Sequence, residues 1–580
     1  MERMRWLDRP VVVTTVFAVL ITAMAGALHQ AATSRGCIQL VVVSSQEKAL
    51  LMEQAATHFN TSPQAVVGGR CVHAIVEAVV SGAAEEALAD DWTGQSVTRP
   101  DVWIPSANTW VNLLDGQRTA NQKPSLIVPS SPPTSLMQSP LVIAMPASMA
   151  NALGWPDSKI GWSTIFDLAQ DPRGWARYRH PGWGAFRLGK TNPHLSTSGL
   201  NALINMYYAA SGKKNSLTTS DLIRPVVKNF VQKVESSVAH YGDTATTFLT
   251  NLLDAQQHSS TPYVSAVAVE EKEVWNYNVG NLKGDPNQVG SVPPAELLDA
   301  FYPTDGTILA DHPYTLLNWS TLSAEKKAAS DQFLAYLLSP DSQVIFQNAG
   351  FRNRYGVGGS EISLAYGLNP DEGLTVPLPD GQVIAAIQKS WDTLRKPARV
   401  LIVIDASKSV GAARLALIKQ PLADALNGLA SSDQVGLWQA PGVTAPFDEL
   451  VPVGPLAAAQ SQIDAKIFAM TVSNREALLV DLVQGSVHEL SRTYDPKRID
   501  AVVLLSPGTG ATPPEIETLL GMLRNQPPDR SIHIFTVSYG NAPDQNGTLL
   551  KIANASGGGF YDTASPGTFH DLMIQVLSNF

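Results

Sequence analysis

The chain is predicted to be an α/β protein of two parts, a module of repeated strand–turn–helix units followed by a doubly wound, Rossmann-like domain, with one N-terminal transmembrane helix ahead of both. Three observations lead there. Strand–turn–helix units with Ser or Thr at the corner recur through the middle of the chain. Short apolar runs then alternate regularly with helical stretches over the last ~180 residues, the pattern of a mostly parallel sheet. Before both, Val11–Leu28 contains no charged residue. A chain of 580 residues exceeds a single core. With 44% hydrophobic and 16% charged residues it is globular, and a net charge of −10 without a basic block argues against nucleic acid.

The N-terminus sets the compartment. Arg3, Arg5 and Arg9 precede the uncharged run, so residues 1–9 are expected in the cytoplasm and residues 10–28 as a membrane anchor, with the bulk of the chain outside. A cleaved signal peptide is the rival reading, because Ala23-Met24-Ala25 is an A-x-A sequence. Cys37 and Cys71 are the two cysteines, and an oxidising exterior permits a disulfide between them.

"CIQLVVVSS" reads as a buried strand ending in Ser44 and Ser45, followed by a helix with Leu50, Leu51, Ala55 and Phe59 at helical spacing. "PDVWIPSANTWVNLL" repeats the unit with a corner at Ser106, and "SPLVIAMP" is another buried strand. "STSG" opens a helix at Thr197 and Ser198, and "VAHYGDTATTFLTNLL" repeats the turn around Tyr241. "ADHPY…AAxxFLxYLLSPxxQ" closes the module. This order resembles the periplasmic solute-binding proteins with two α/β lobes (type II), over residues 37–358. The resemblance implies a ligand in the cleft between lobes, held by hydroxyls and helix-start amides. Its candidates here are Ser44, Ser45, Ser106, Thr197, Ser198 and Tyr241. The ligand is expected to be small and polar or anionic. The plain alternative is that these residues are helix caps in a degenerate spacer.

"GAFRLGKT", Gly184–Thr191, matches the phosphate loop G-x-x-x-x-G-K-[ST]. Pro193 blocks a helix starting at Lys190, so the match is read as chance. No nucleophile or zinc motif is present, and no enzymatic activity is expected. Glu270, Glu271 and Glu273 read as a solvated strand end.

Residues 359–396 read as a Gly/Pro-rich linker and a connecting helix. Beyond them, strands "VLIVID", "QVGLWQA", "AVVLLSPG" and "IHIFTVSYG" alternate with helices "ARLALIKQPLADALNGLA", "REALLVDLVQGSVHELSRT" and "PPEIETLLGMLRN". With "IDASKS" and "IANASGGGFYD", residues 397–580 resemble the von Willebrand factor A (VWA) domain. In that family, the resemblance implies, the two serines of D-x-S-x-S bind Mg²⁺ directly and the aspartate through water. The counterparts are Ser407, Ser409 and Asp405, with a partner's carboxylate completing the octahedron. Two later positions depart from the pattern. Ala477 stands where a threonine is expected, with Thr471 and Ser473 upstream, and Pro507 where a second aspartate is expected. The site is thus a degenerate form that would hold Mg²⁺ weakly. Without metal, Asp405 and its serines would cap a helix.

The nearest resemblance is to actinobacterial membrane-anchored surface proteins that pair these two modules. The function expected is extracytoplasmic binding, with a protein partner on the VWA domain. The alternative is the substrate receptor of an ABC importer.

Overall fold

The computed structural model describes residues 36–580, apart from 96, 259–261, 289, 291–292, 372, 541–543, 545–546 and 563–568. The expected anchor at 10–28 lies outside the described residues. Among them no helix is long and apolar enough to cross a membrane.

Lobe 1 is a six-stranded sheet built from β1 (Ile38–Ser44), β2 (Val66–Val67), β3 (Arg70–Ala78), β4 (Val102–Ile104), β5 (Thr134–Ser135) and β12 (Pro313–Leu316), in the order β2-β3-β1-β4-β12-β5. Lobe 2 is ordered β10-β6-β9-β7-β8, from β6 (Met137–Pro146), β7 (Leu188–Thr191), β8 (Val238–Gly242), β9 (Ala266–Glu270) and β10 (Leu298–Phe301). Short strands β11 (Leu309–Ala310) and β13 (Arg352–Asn353) also pair with β6. The chain crosses between lobes three times, after β5, before β12 and again before β13, so the lobes face each other across a cleft. Cys37 and Cys71 form a disulfide that ties the start of β1 to β3. Closing a loop with sequence separation 34 stabilises the fold by about 4 kcal/mol in the chain-entropy picture.

The C-terminal sheet is β16-β15-β14-β17-β18-β19, from β14 (Ala398–Asp405), β15 (Gln434–Ala440), β16 (Asp448–Pro455), β17 (Ile499–Ser506), β18 (His533–Ser538) and β19 (Phe560–Asp562). All its pairings are parallel except that of edge strand β16. Every residue of β14 and β17 is buried, as central strands covered on both faces require. The edge strand β16 and the helix Leu456–Ala469 are additions to the elements read from sequence. The helix expected from "REALLV" begins later, at Leu479, leaving Arg475–Leu478 as loop.

The two parts are packed against each other rather than strung on a tether. One face of each lobe, the helix Gly381–Leu394 and one face of the C-terminal sheet share a continuous apolar core, while the other faces of lobe 1 and lobe 2 have clusters of their own. Helix Gly381–Leu394 crosses helix Asn108–Ala120 at Gly381 and Gly116. A Cβ on Gly381 would sit 1.9 Å from the Asn112 carbonyl oxygen, so only glycine permits this approach. The chain's last residues dock on lobe 2: Asn192 Nδ2 donates to the Ser578 carbonyl at 2.9 Å, and the Tyr241 amide to Asn579 at 3.1 Å. The segment before that helix is also pinned, with Ile362 and Leu368 buried. The Gly184–Thr191 match is no phosphate loop, since Lys190 lies within β7, fully buried against Glu235 at 2.9 Å.

Candidate functional site

Two places collect polar side chains. The first lies between the lobes. β1 and β4 are adjacent and parallel, with Ser44 opposite Ile104, so the corners that follow them meet in space. Ser106 Oγ thereby comes within 3.1 Å of Ser45 Oγ. Lobe 2 brings the start of helix Thr197–Ser211, the turn after β8 and the end of β9 to the same place. These elements enclose a cavity of about 350 Å³, with Ser81, Ser106, Thr197, Ser198, Glu270 and Glu273 among its lining and the exposed Gln46 and Lys283 at its mouth.

Of the residues singled out in the sequence, Ser106, Thr197 and Ser198 line this cavity. Ser45 is buried just behind it and holds Glu47. Ser44 is fully buried, its hydroxyl turned to the Ser45 carbonyl at 3.4 Å. Tyr241 lies elsewhere, at the junction with the C-terminal part, donating to Glu235 Oε2 at 2.7 Å and accepting from the Lys396 amide at 3.1 Å. The Thr197 hydroxyl accepts from Trp110 Nε1 at 2.8 Å, and Thr109 Oγ1 donates to Asn201 Oδ1 at 2.9 Å. Both bonds join the helix after β4 to the opposite lobe.

Sequence reading missed the carboxylates. Glu47 sits in the 3₁₀ turn Gln46–Lys48, where its Oε1 accepts from Ser45 Oγ at 2.5 Å and Ser106 Oγ at 2.6 Å. Burial raises this carboxyl, but Lys48, His312 and the two hydroxyls outweigh it and hold the group down to about 2. The Glu270–Glu273 segment is not the solvated strand end expected. Glu270, Glu271 and Glu273 are 4%, 0% and 4% exposed, because helix Glu271–Asn278 turns them between the lobes. Glu271 is paired with Arg352 at 2.7 Å. Glu270 Oε2 and Glu273 Oε2 are buried without a hydrogen-bond partner. Burial pushes the Glu273 carboxyl up to about 7, and Glu270, facing Glu47 and Glu273, higher still above its usual range.

The second place is at the carboxyl ends of β14 and β17, where the strand order of the C-terminal sheet reverses. Asp405 Oδ1 accepts from the Ser407 amide at 2.9 Å and Oδ2 from Ser506 Oγ at 3.1 Å. The Tyr539 hydroxyl donates to the Asp405 carbonyl. Burial raises the Asp405 carboxyl, against the pull of its hydrogen bonds. Ser407 Oγ is buried beside the Asp405 carboxyl, and Ser409 Oγ donates to Glu476 Oε2 at 2.6 Å. Glu476 supplies a carboxylate beside the two serines that no sequence match suggested. Its neighbour Ala477 is buried, and Ser473 serves the loop, its amide donating to the Ala406 carbonyl at 2.8 Å. Pro507 packs close to Gly540, where a Cβ would lie 2.9 Å from the proline Cβ. The donor set is thus oxygen throughout, two carboxylates and two serine hydroxyls, which suits a hard divalent cation in kind.

Comparison with known proteins bears on the first place above all. A family profile described as bacterial extracellular solute-binding protein matches residues 40–352 of the 580. An uncharacterized protein of Mycobacterium tuberculosis strain H37Rv, and its counterpart in strain CDC 1551 / Oshkosh, are 23% identical over 549 residues, 91% of this chain and 75% of theirs. The sulfate-binding protein SubI of Mycobacterium tuberculosis H37Rv aligns over 61% of this chain and 98% of its own, at 14% identity and a TM-score of 0.37. A von Willebrand factor type A protein of Catenulispora acidiphila aligns over 32% of this chain and 42% of its own, at 16% identity and a TM-score of 0.27. The matched segment runs from β1 to the start of β13 and takes in both lobes and the cavity between them. On that match over more than half its length, the chain belongs to the bacterial extracellular solute-binding protein family.

Proposed function

We propose that the chain is an extracytoplasmic binding protein whose two lobes hold a small solute in the cavity between them, and whose C-terminal domain engages a protein partner. The observation that supports the first half is the cavity itself. It is lined by hydroxyls from both lobes and by Glu270 and Glu273, each with one buried oxygen that no hydrogen bond satisfies. Leaving such groups unsatisfied costs about 1–3 kcal/mol each, or more when charged, and a ligand that pairs with them recovers this. A thermal-shift titration with small polar solutes tests the reading. A solute that raises the melting temperature of the wild type should lose its effect in Thr246→Trp, whose indole would fill the cavity mouth. An undiminished shift in that variant would place binding elsewhere.

For the C-terminal domain, the buried Ser407 hydroxyl beside the Asp405 carboxyl, with Ser409 held by Glu476, supports a VWA-type metal site. Asp405, Ser407, Ser409 and Glu476 would hold Mg²⁺, which would supply an open coordination position for an acidic partner side chain. Mg²⁺ at millimolar concentration should raise the melting temperature by a few degrees, and Ser407→Ala with Ser409→Ala should abolish the rise. The same shift in that double variant would sink the assignment. Export and anchoring follow from the arginine-flanked apolar run at 10–28. A receptor role for an importer is the alternative, favoured if a permease and an ATPase copurify with the chain.

A further inference from the structure

The hydroxyl cluster at the end of β1 and β4 has the donors that would solvate an oxyanion, yet the chain's own carboxylate already fills it. Ser45 and Ser106 both donate to Glu47 Oε1, and Lys48 Nζ lies 3.3 Å from the same atom. An incoming sulfate or phosphate would meet Glu47 where the donors converge, and no arginine lines the cavity.

The charges around the cavity do not balance. Glu47, Glu270 and Glu273 face Lys48 and Lys272, all of them largely withdrawn from water except Glu47, which is half-buried. His312 stands between Glu47 Oε1 at 3.9 Å and Glu270 Oε2 at 3.7 Å, and burial lowers its basicity so that it adds no charge near neutrality. Lys272 is turned away, donating to Asn276 and lying 4.8 Å over the Trp275 ring. Asp243, buried in the cavity lining, accepts from Thr247 at 2.7 Å, and Lys283 is exposed at the mouth. Around the cavity four carboxyl groups therefore meet two buried amines, so ionising them all would leave unpaired negative charge. Glu270 and Glu273 are both among the residues lining the cavity, and each has one buried oxygen that no hydrogen bond satisfies.

We propose that this cavity takes a small organic cation, a protonated amine, whose ammonium group pairs with Glu270 and Glu273 while the Thr197–Ser198 and Thr244–Thr246 hydroxyls receive its polar remainder. The inference rests on the solute-binding reading above and names the ligand class. Two consequences follow. Glu273 and Glu270 hold protons in the empty cavity that a bound ammonium displaces, so binding releases protons and tightens as pH rises. Of the groups around them, Glu47 stays ionised and His312 uncharged over pH 6 to 8, while Lys272, lowered by burial to about 8, loses charge in the same sense as pH rises.

Isothermal titration calorimetry of the full chain decides it, with ethanolamine and putrescine as cations, ethylene glycol and 1,4-butanediol as neutral counterparts, and sulfate, phosphate and molybdate as anions. At least one amine should bind, tenfold or more tighter than its diol, and tenfold tighter at pH 8 than at pH 6. The heat should vary with the buffer's ionisation enthalpy. Glu273→Gln should weaken the amine at least tenfold and reduce the proton release; the diol comparison needs no variant and stands if that protein fails to fold. Binding of an oxyanion with no response to amines would overturn the inference and leave the solute-binding reading intact. Silence toward both classes would overturn the inference alone, because the solute-binding reading is tested by the wider thermal-shift titration.

Discussion

Replacing Arg352 by methionine is expected to lower the stability of the chain by roughly 3–5 kcal/mol, the cost of orphaning a buried charge. The guanidinium lies between three segments distant in sequence. Nε and an Nη of Arg352 donate to both oxygens of Glu271 at 2.9 and 2.7 Å. Its remaining protons go to the carbonyls of Asn369 and Pro370 at 2.9 and 2.8 Å. Glu271 is fully buried and also accepts from the Tyr302 hydroxyl. Without the arginine its carboxylate loses its counter-charge, and the segment after Gly359 loses its tie to lobe 2. Arg352→Lys should recover only part of the loss, because an ammonium cannot supply the planar fork. Arg352→Met combined with Glu271→Leu should be less damaging than Arg352→Met alone, since it removes both charges together. Urea unfolding followed by circular dichroism measures each difference. A single variant within 1 kcal/mol of the wild type would contradict the account.

Glu85→Gln is expected to stabilise the chain at mildly alkaline pH. Glu85 lies on helix Ser81–Ala89, 4% exposed, with Oε1 buried and without a partner. Burial first, and Glu86 second, push its carboxyl up to about 8. The folded chain thus keeps a proton that the unfolded chain gives up near the ordinary glutamate value. Between about pH 4.5 and pH 8 the native state binds more protons at this site, so stability falls as pH rises and levels off above the folded value. The full span is worth about 4–5 kcal/mol. Glu273 contributes a slope of the same sign up to about 7, so the wild type and Glu85→Gln should both decline with pH. The gap between them isolates Glu85. It should open across pH 5 to 8 in the variant's favour, and parallel melting curves over that range would refute the assignment.

The elements of the fold that follow from strong local pattern were legible in the sequence. "VLIVID" and "AVVLLS" are continuous apolar runs because both faces of β14 and β17 are covered. Their adjacency puts Asp405 beside Ser506 at a reversal of strand order. Strand β16 was not legible: it is half-exposed, interrupted by Pro452 and Gly454, and lies at the sheet edge, where the alternation that marks a strand is weak. The serine corners were visible one at a time, but what fills them was not. Glu47 looks like an ordinary first-turn acid until the pairing of β1 with β4 brings Ser106 onto it. The Glu270–Glu273 stretch reads as solvated because nothing local reveals a second lobe opposite it. Tyr241 shares its corner with the cavity-lining turn, yet the alternation of β8 directs it to the connecting helix, where its ring stands 4.9 Å from Trp391. Glu476 escaped notice for a related reason: the later start of helix Leu479–Arg492 leaves it on a loop that reaches Ser409.

The central claim is that a solute is held by both lobes at once in the cavity they enclose. Amide hydrogen exchange of the full chain, with and without a solute that raises its melting temperature, addresses this most directly. The account predicts added protection in peptides covering 45–48 and 106–108 of lobe 1 together with 196–199 and 243–246 of lobe 2. Protection confined to one lobe, or to the loops at 405–409 and 473–477 of the C-terminal domain, would contradict it.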